Sequence, residues 1–559
     1  MPSFRHSTYD QPSFLCSNKY SGGKANIPES EKSHSAIQII LWSLCVVWAV
    51  FLSLKNYETF QIGGFRDDAE YVVATRSLVH SDEYGLINLP GEPGLPRFPF
   101  GYPLILAPIV TLFPDNPDAM KWPALIASVL NAGLLFWCWK YFSKSTSCWY
   151  GLAVSGLYIL SSMTVGLTRI VMSDAVFTTF CLGSILLAQR SAEKPLNIIE
   201  YIVMIVCLFF TLFTRTVGAI FVATTLSYYM IIKPREHWKS AFAMTVSIFV
   251  LFSAVITVTP IKIKHVIPTE YLSVLTSPSD WGQNAKEDPI IDRLISGSLE
   301  YSQKYIRKVI LVLGGGDRER EVFDRLGIPF FPSLVGIIIV LIIGTGYVRW
   351  IFQEGFSLFS VCVIPYLAIL VLWSWRDERL LYPIQPQLYL GLLLGSSVII
   401  TKLTPFRYRQ SWIRHLMLGA IVTMLISIYS FRNFPADFSQ SHIGDLSMRT
   451  AWIRDNTESS SVIMTEEPPT DYIYGMRRTV PYPQQSFSTA ADFFNVLLEN
   501  HVNYFLVAPR YQWQGKHTPG FSAKTSSLLP LLEKLRAEKL VELTYSSEQN
   551  WVKVFKVKS

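Results

Sequence analysis

Apolar residues in this chain are grouped in blocks as long as a bilayer-crossing helix. Such a helix needs roughly 20 mostly apolar residues. Blocks of this kind lie near 36–54, 122–140, 149–168, 174–189, 198–213, 217–232, 240–259, 331–349, 357–374, 383–400 and 413–431. They lack the period-two alternation of barrel strands, so they predict helices. The pattern as a whole predicts a polytopic α-helical membrane protein with about 11 transmembrane helices. Arg215 interrupts 198–232, which reads as two spans or as one long broken helix. The segment YPLILAPIVTLF, residues 102–113, is apolar but too short to span, and predicts a helix lying in the outer interface.

The polar stretches between and beyond these blocks set the domain plan. Residues 1–35 are polar and rich in Ser, Pro and Gly, and read as a disordered cytoplasmic tail rather than a signal peptide. The membrane domain covers 36–431, with a first outer loop at 55–121 and a large outer loop at 260–330. That large loop contains IIDRLISGSLEYSQKYIRKVILVL, whose apolar residues fall at helical spacing. Gly314, Gly315 and Gly316 follow it and read as a helix stop or hinge, or as weak evidence of phosphate binding. From 437 to 559 the periodicity changes. SVIMTEE, VNYFLVAP, LVELTYS and WVKVFKV read as strands, TAADFFNVLLEN and SSLLPLLEKLRAEK as helices. The order β, α, β, α, β, β predicts a small α/β domain for support, substrate capture or partner binding.

Charge orients the spans. With the N-terminus inside, the connections Lys140 to Lys144, Arg190 to Lys194, KPREHWK from Lys233, Arg349 to Glu354 and TKLTPFRYRQSWIRH from Thr401 are cytoplasmic. Each carries at least as many basic as acidic residues, as short inner loops do. Asp67, Asp68, Asp174, Arg376, Arg379 and the C-terminus then lie on the outer face. The net charge of +7 follows from the inner loops and gives no argument for nucleic acid. The 559 residues are 50% hydrophobic and only 16% charged, too apolar for a soluble enzyme of this length. The seven cysteines lie mostly in apolar runs and read as small buried hydrophobes. No Asn-x-Ser/Thr acceptor occurs, which favours a bacterial inner membrane over an endoplasmic-reticulum setting.

The chemistry-bearing residues sit at the outer ends of the spans. GGFRDDAEYVVATRSL places Asp67 and Asp68 about a dozen residues past the first span. Taken alone the pair reads as solvated loop charge. Tyr71, Ala74, Thr75 and Leu78 at helical spacing predict a short amphipathic helix that starts at the pair, where the helix dipole holds anions. Asp174, in TRIVMSDAVFTTFCLG, caps a span together with Ser173, serves as a site residue, or does both. Arg97 precedes PFGYP, Arg215 lies in FTRTVG, and Arg376 and Arg379 lie in WSWRDERLLYP. A guanidinium grips phosphate oxygens bidentately. Arg376 has the alternative of a local ion pair with Asp377 or Glu378. Carboxylates beside phosphate-binding arginines suit one chemistry in particular. The arginines hold a lipid phosphate that carries a sugar, and a carboxylate takes the acceptor's proton as it attacks the anomeric carbon, with inversion. No GxGxxG after a strand and no P-loop is present. A transporter or flippase is the alternative, although no internal repeat is visible. A membrane scaffold whose outer domain binds a partner is a third reading.

These motifs together resemble the GT-C superfamily of integral-membrane glycosyltransferases, in particular the lipid A aminoarabinose transferase and protein O-mannosyltransferase group. Its members carry an acidic pair in the first outer loop with a tyrosine four residues after the first acid, similar to Asp67, Asp68 and Tyr71. A basic residue, proline and aromatic before the interfacial helix correspond to Arg97, Pro99 and Tyr102. Asp174, the pair Arg215 and Gly218, and RLLYPIQP with Arg379 and Pro383 continue the likeness, which covers roughly 36–431. The resemblance implies a polyprenyl-phosphate sugar donor, an acceptor that is a glycan, lipid or protein, Asp67 as base and Asp174 as an orienting acid. With Arg376 added from the charge reading, Tyr71, Arg97, Tyr102, Arg215, Arg376 and Arg379 are the residues expected to bind the lipid phosphate or the sugar. Oligosaccharyltransferase relatives use a divalent metal and the mannosyl and aminoarabinosyl relatives do not, so a cation is open.

Overall fold

The computed structural model describes residues 29–558 except 56, 58–60, 66, 81–83, 92–97, 115, 144–145, 233, 259–289, 312–322, 374–375, 404–409, 434–445, 484, 510–520 and 548–550. Gly314 to Gly316 and Arg97 therefore lie outside the described residues. The chain divides into two compact units, 1–41 and 42–559. Of the first unit, residues 29–41 are described, as the start of helix Glu29–Lys55. Residues 29–35, read from sequence as tail, are thus helical.

Helices occupy every stretch that the apolar pattern singled out. Four are long and apolar enough to cross a membrane: Ala36–Lys55, Pro117–Trp137, Phe331–Glu354 and Glu378–Lys402. Others are shorter apolar helices, among them Ile198–Thr214 and Gly218–Ile231. The stretch 149–168 is broken, because Ser161 leaves the helix and its side chain accepts from Thr164 N to cap a second short helix. Large apolar side chains such as Val47, Ile231 and Phe352 are exposed, as on a lipid-facing surface. Inside the bundle, helices Phe331–Glu354 and Gln385–Leu403 cross on Gly346, Gly391 and Gly395. A Cβ on Gly346 would lie 1.9 Å from the Gly391 carbonyl oxygen. Small residues at such a crossing let backbones approach where no hydrophobic drive exists between helices in lipid.

Five strands follow: β1 Val462–Thr465, β2 Arg478–Pro481, β3 Tyr504–Val507, β4 Val541–Ser546 and β5 Lys553–Val557. They form one sheet in the order β2-β1-β3-β5-β4. β1 pairs in parallel with β2 and β3, while β5 pairs antiparallel with β3 and β4. All four residues of β1 are buried, the signature of a strand covered on both faces. Helices Ala490–Glu499 and Ala523–Ala537 bring Phe493, Leu497, Leu532 and Leu535 onto Phe505 and Phe555. The order read from sequence lacked helix Leu446–Asn456 at its start and two short elements further on, helix Pro468–Gly475 and strand β2. That helix opens on prolines, which fit a first helical turn, and β2 is a four-residue edge strand ending in proline. Neither is long enough to show a period.

Candidate active site

The site is built where helix Asp67–His80 meets the starts of later helices. Helix Asp67–His80 begins at the acid pair, so Asp67, Asp68 and Glu70 occupy its first turn, where the macrodipole favours anions. The amphipathic expectation fails. Asp68 through Ser77 are all buried, because helix Gly101–Leu112 covers one side and helix Pro468–Gly475 another. This is a core helix whose partners come from far along the chain.

The two carboxylates have different surroundings. Asp67 Oδ2 lies 2.6 Å from Arg379 Nη2, with both side chains slightly exposed. Asp68 is fully buried. Its Oδ2 accepts from Gly63 N at 2.8 Å and its Oδ1 from Ala69 N at 3.0 Å. Burial, with the Asp67 charge adding to it, pushes the Asp68 carboxyl up to about 7 against the pull of these N–H groups.

Asp174 opens helix Asp174–Glu193 and is fully buried. It does not cap that helix with Ser173, whose side chain makes no cap bond. Ser173 Oγ instead lies 2.9 Å from the Tyr71 hydroxyl, tying the helix of the acid pair to that of Asp174. Asp174 Oδ1 accepts from Arg215 Nη1. Arg215 is extended (φ −147°, ψ 139°) just after helix Ile198–Thr214, so the 198–232 stretch is two helices with the guanidinium released at the break. A helix break is where an arginine on an apolar segment can leave the lipid side and reach a partner.

Arg379 draws the pairs together. It feels the charges of Asp67, Asp174, Asp377 and Arg215, and Nη1 lies 3.8 Å from the sulfur of Met172, two residues before Asp174. Asp377 fixes its backbone by accepting from Arg379 N at 3.0 Å. Tyr71 stacks on Phe98 and meets Tyr102 edge-on, with ring centroids 4.4 and 4.9 Å apart. The Tyr102 hydroxyl and Asp174 Oδ2 are buried without a hydrogen-bond partner among the described residues. Each such orphan polar atom calls for an account, and an ordered water or a polar ligand is the simplest.

Of the residues picked from sequence, the structure therefore brings Asp67, Asp68, Tyr71, Tyr102, Asp174, Arg215 and Arg379 together. Arg376 does not join them. Its guanidinium reaches Glu300 Oε2 at 3.0 Å and Ser296 Oγ at 2.8 Å, and so holds helix Ile290–Glu300. One residue was overlooked. Arg169, five positions before Asp174, has Nε and Nη2 buried with no partner among the described residues, and burial lowers its pKa to about 10. Its signal was an arginine with no acid close by in sequence until Asp174. A divalent cation does not fit this donor set. Asp67 and Asp174 are engaged by arginines, Asp68 by backbone N–H groups, and no group of three or more His, Cys, Asp or Glu gathers among the described residues.

No family model and no curated protein matches the sequence. Solved structures do. The archaeal oligosaccharyltransferase AglB from Archaeoglobus fulgidus, in complex with an inhibitory peptide and a dolichol-phosphate, is similar at 10% identity and TM-score 0.52, over 85% of this chain and 69% of that one. ArnT from Cupriavidus metallidurans, bound to undecaprenyl phosphate, is similar at 12% identity and TM-score 0.51, over 92% of this chain and 97% of that one. The chain thus shares its fold with these two structures, in line with the GT-C resemblance read from its motifs. At these identities the likeness is one of fold.

Proposed function

We propose that this chain is a glycosyltransferase that moves a sugar from a polyprenyl-phosphate donor to an acceptor at the outer face of the membrane. The observation that carries the reading is the junction of two Asp–Arg pairs, Asp67–Arg379 and Asp174–Arg215, through the Tyr71–Ser173 contact inside a GT-C fold. Asp67 takes the proton of an acceptor hydroxyl as that oxygen bonds to the anomeric carbon. The bond from that carbon to the donor phosphate oxygen breaks, and polyprenyl phosphate leaves with the electron pair. Direct displacement inverts the carbon. Arg379 and Asp174 fix the base and the acceptor, while Arg215 stabilises the developing phosphate charge, with Arg169, five positions before Asp174, as a second candidate for that role. No step runs through a metal. In this reading the sheet domain, described from Leu446 onward, lies on the extracytoplasmic side with the acid pair.

The test is to incubate the purified chain in nanodiscs with polyprenyl-phosphate sugars and follow free polyprenyl phosphate by mass spectrometry. Release coupled to an inverted glycoside is the expected result. Passage of intact donor across a sealed liposome without cleavage would instead establish a transporter.

Arg169 gives a separate prediction. Arg169 is half-buried, and a guanidinium whose Nε and Nη2 have no partner among the described residues carries a desolvation cost that a bound phosphate would offset. Arg169→Met is expected to leave the thermal midpoint of the ligand-free chain unchanged or higher, while the KM for donor rises about tenfold or more. An unchanged KM would remove Arg169 from the site.

A further inference from the structure

The sheet domain touches the acid pair's own loop. Thr470 and Tyr474 lie on helix Pro468–Gly475, and each reaches a carbonyl of the turn before the pair. Thr470 Oγ1 donates to Gly63 O at 3.3 Å, and the Tyr474 hydroxyl donates to Ile62 O at 3.0 Å. Gly63 in turn donates its N–H to Asp68 Oδ2 at 2.8 Å. One peptide turn is thus held from both sides, by the sheet domain at its carbonyls and by the acid pair at its N–H.

The fit is close. Gly63 has φ +100°, a conformation that side chains avoid, and a Cβ there would stand 2.4 Å from Thr470 Cγ2. The contact is also anchored at its far end. Asp471, on the same helix, pairs through both oxygens with the buried Arg449, at 2.7 Å each. Arg449 Nη1 further reaches Glu467 Oε2 and the Pro509 carbonyl. The helix is therefore a fixed part of the sheet domain and no swinging arm. Two more contacts run alongside. Thr479 N donates to Asn88 O at 2.6 Å, and Asn88 Nδ2 to Thr479 Oγ1 at 3.2 Å. Arg76, on the helix that starts at Asp67, donates to Ile473 O at 3.5 Å.

We propose that the C-terminal sheet domain is part of the catalytic unit, with Thr470 and Tyr474 acting as positioning residues that hold the Gly63 turn and through it Asp68 and its neighbour Asp67. The inference rests on the transferase reading given above. It gives the sheet domain a definite task, and it couples whatever the domain binds to the geometry of the acids. A guest that shifted helix Pro468–Gly475 would shift the turn with it.

The experiment uses the full chain in nanodiscs and the double variant Thr470→Val, Tyr474→Phe, which keeps both shapes and removes both donors. Hydrogen–deuterium exchange of 61–69 and steady-state transfer are measured together. Exchange of this segment is expected to quicken about tenfold, that of helix Ile290–Glu300 to stay unchanged, and kcat to fall about tenfold with the donor KM unmoved. Thr470→Ser, which keeps its hydroxyl, is expected to stay near wild type. Unchanged exchange, or quicker exchange at full kcat, overturns the proposal. So does a loss that shows only in KM. A wild-type chain that transfers no sugar sinks the transferase reading instead, and the exchange arm then still decides whether the sheet domain holds the turn.

Discussion

Asp67→Asn is expected to cut the rate of sugar transfer by about 10³-fold, within the range that a positioned general base contributes. The substitution keeps the shape of the side chain. Its carboxamide oxygen can still accept from Arg379 Nη2, which stands 2.6 Å from Asp67 Oδ2 in the native chain. Arg379 also keeps other acids within reach, with Asp377 Oδ2 at 3.7 Å from its Nε. The variant should therefore insert and fold. What it loses is the ability to take a proton. The readout is the initial rate of polyprenyl phosphate release, with the thermal midpoint measured on the same sample. A rate close to wild type would show that another group is the base. Asp67→Ala is the harsher comparison, because it also removes the acceptor of a nearly buried guanidinium and so mixes catalysis with stability.

Most of this site was legible in the chain because charged residues on apolar segments are costly and few. Asp174 and Arg215 stand out against a greasy background, whereas Asp67 and Arg379 lie in charged strings at span ends and are picked out by their motifs. Their pairing was not legible. Asp67 and Arg379 are 312 positions apart, and no local spacing links them. The neighbours of Arg376 misled in the same way. Asp377 and Glu378 are adjacent, yet Arg376 reaches back to Glu300 while Asp377 serves Arg379. Helix Asp67–His80 shows the same limit at the level of a whole element. Its pattern was read as one apolar face, but the sheet domain covers the other face, and only the folded chain shows that cover. Arg169 lies inside TRIVMSDAVFTTFCLG with nothing in the string to single it out. That its Nε and Nη2 have no partner among the described residues is a property of three dimensions.

Raising the pH from 4 to 8 is expected to destabilise the chain through Asp68. The carboxyl is fully buried, and burial first, then the Asp67 charge, raises its pKa from 3.8 to about 7. Between those values the folded chain holds a proton that the unfolded chain has released. Stability from this group is therefore present at low pH, declines as pH rises, and levels off above about 7. At 1.36 kcal/mol per unit, a shift of about three units amounts to about 4 kcal/mol. Asp68→Asn removes the titration, and its carboxamide oxygen can still accept from Gly63. The difference in unfolding midpoint between variant and wild type isolates the group from every other ionisation. That difference should move in favour of the variant from pH 4 to pH 7 and then stay constant. A flat difference across this range would mean that Asp68 is ionised throughout, held by the Gly63 and Ala69 N–H groups. The two acids would then both be anions side by side. With Asp68 neutral, the pair carries one negative charge on the oxygen that faces Arg379. A buried Asp68 that keeps its proton leaves the carboxyl beside Arg379 as the one placed to take the acceptor's proton.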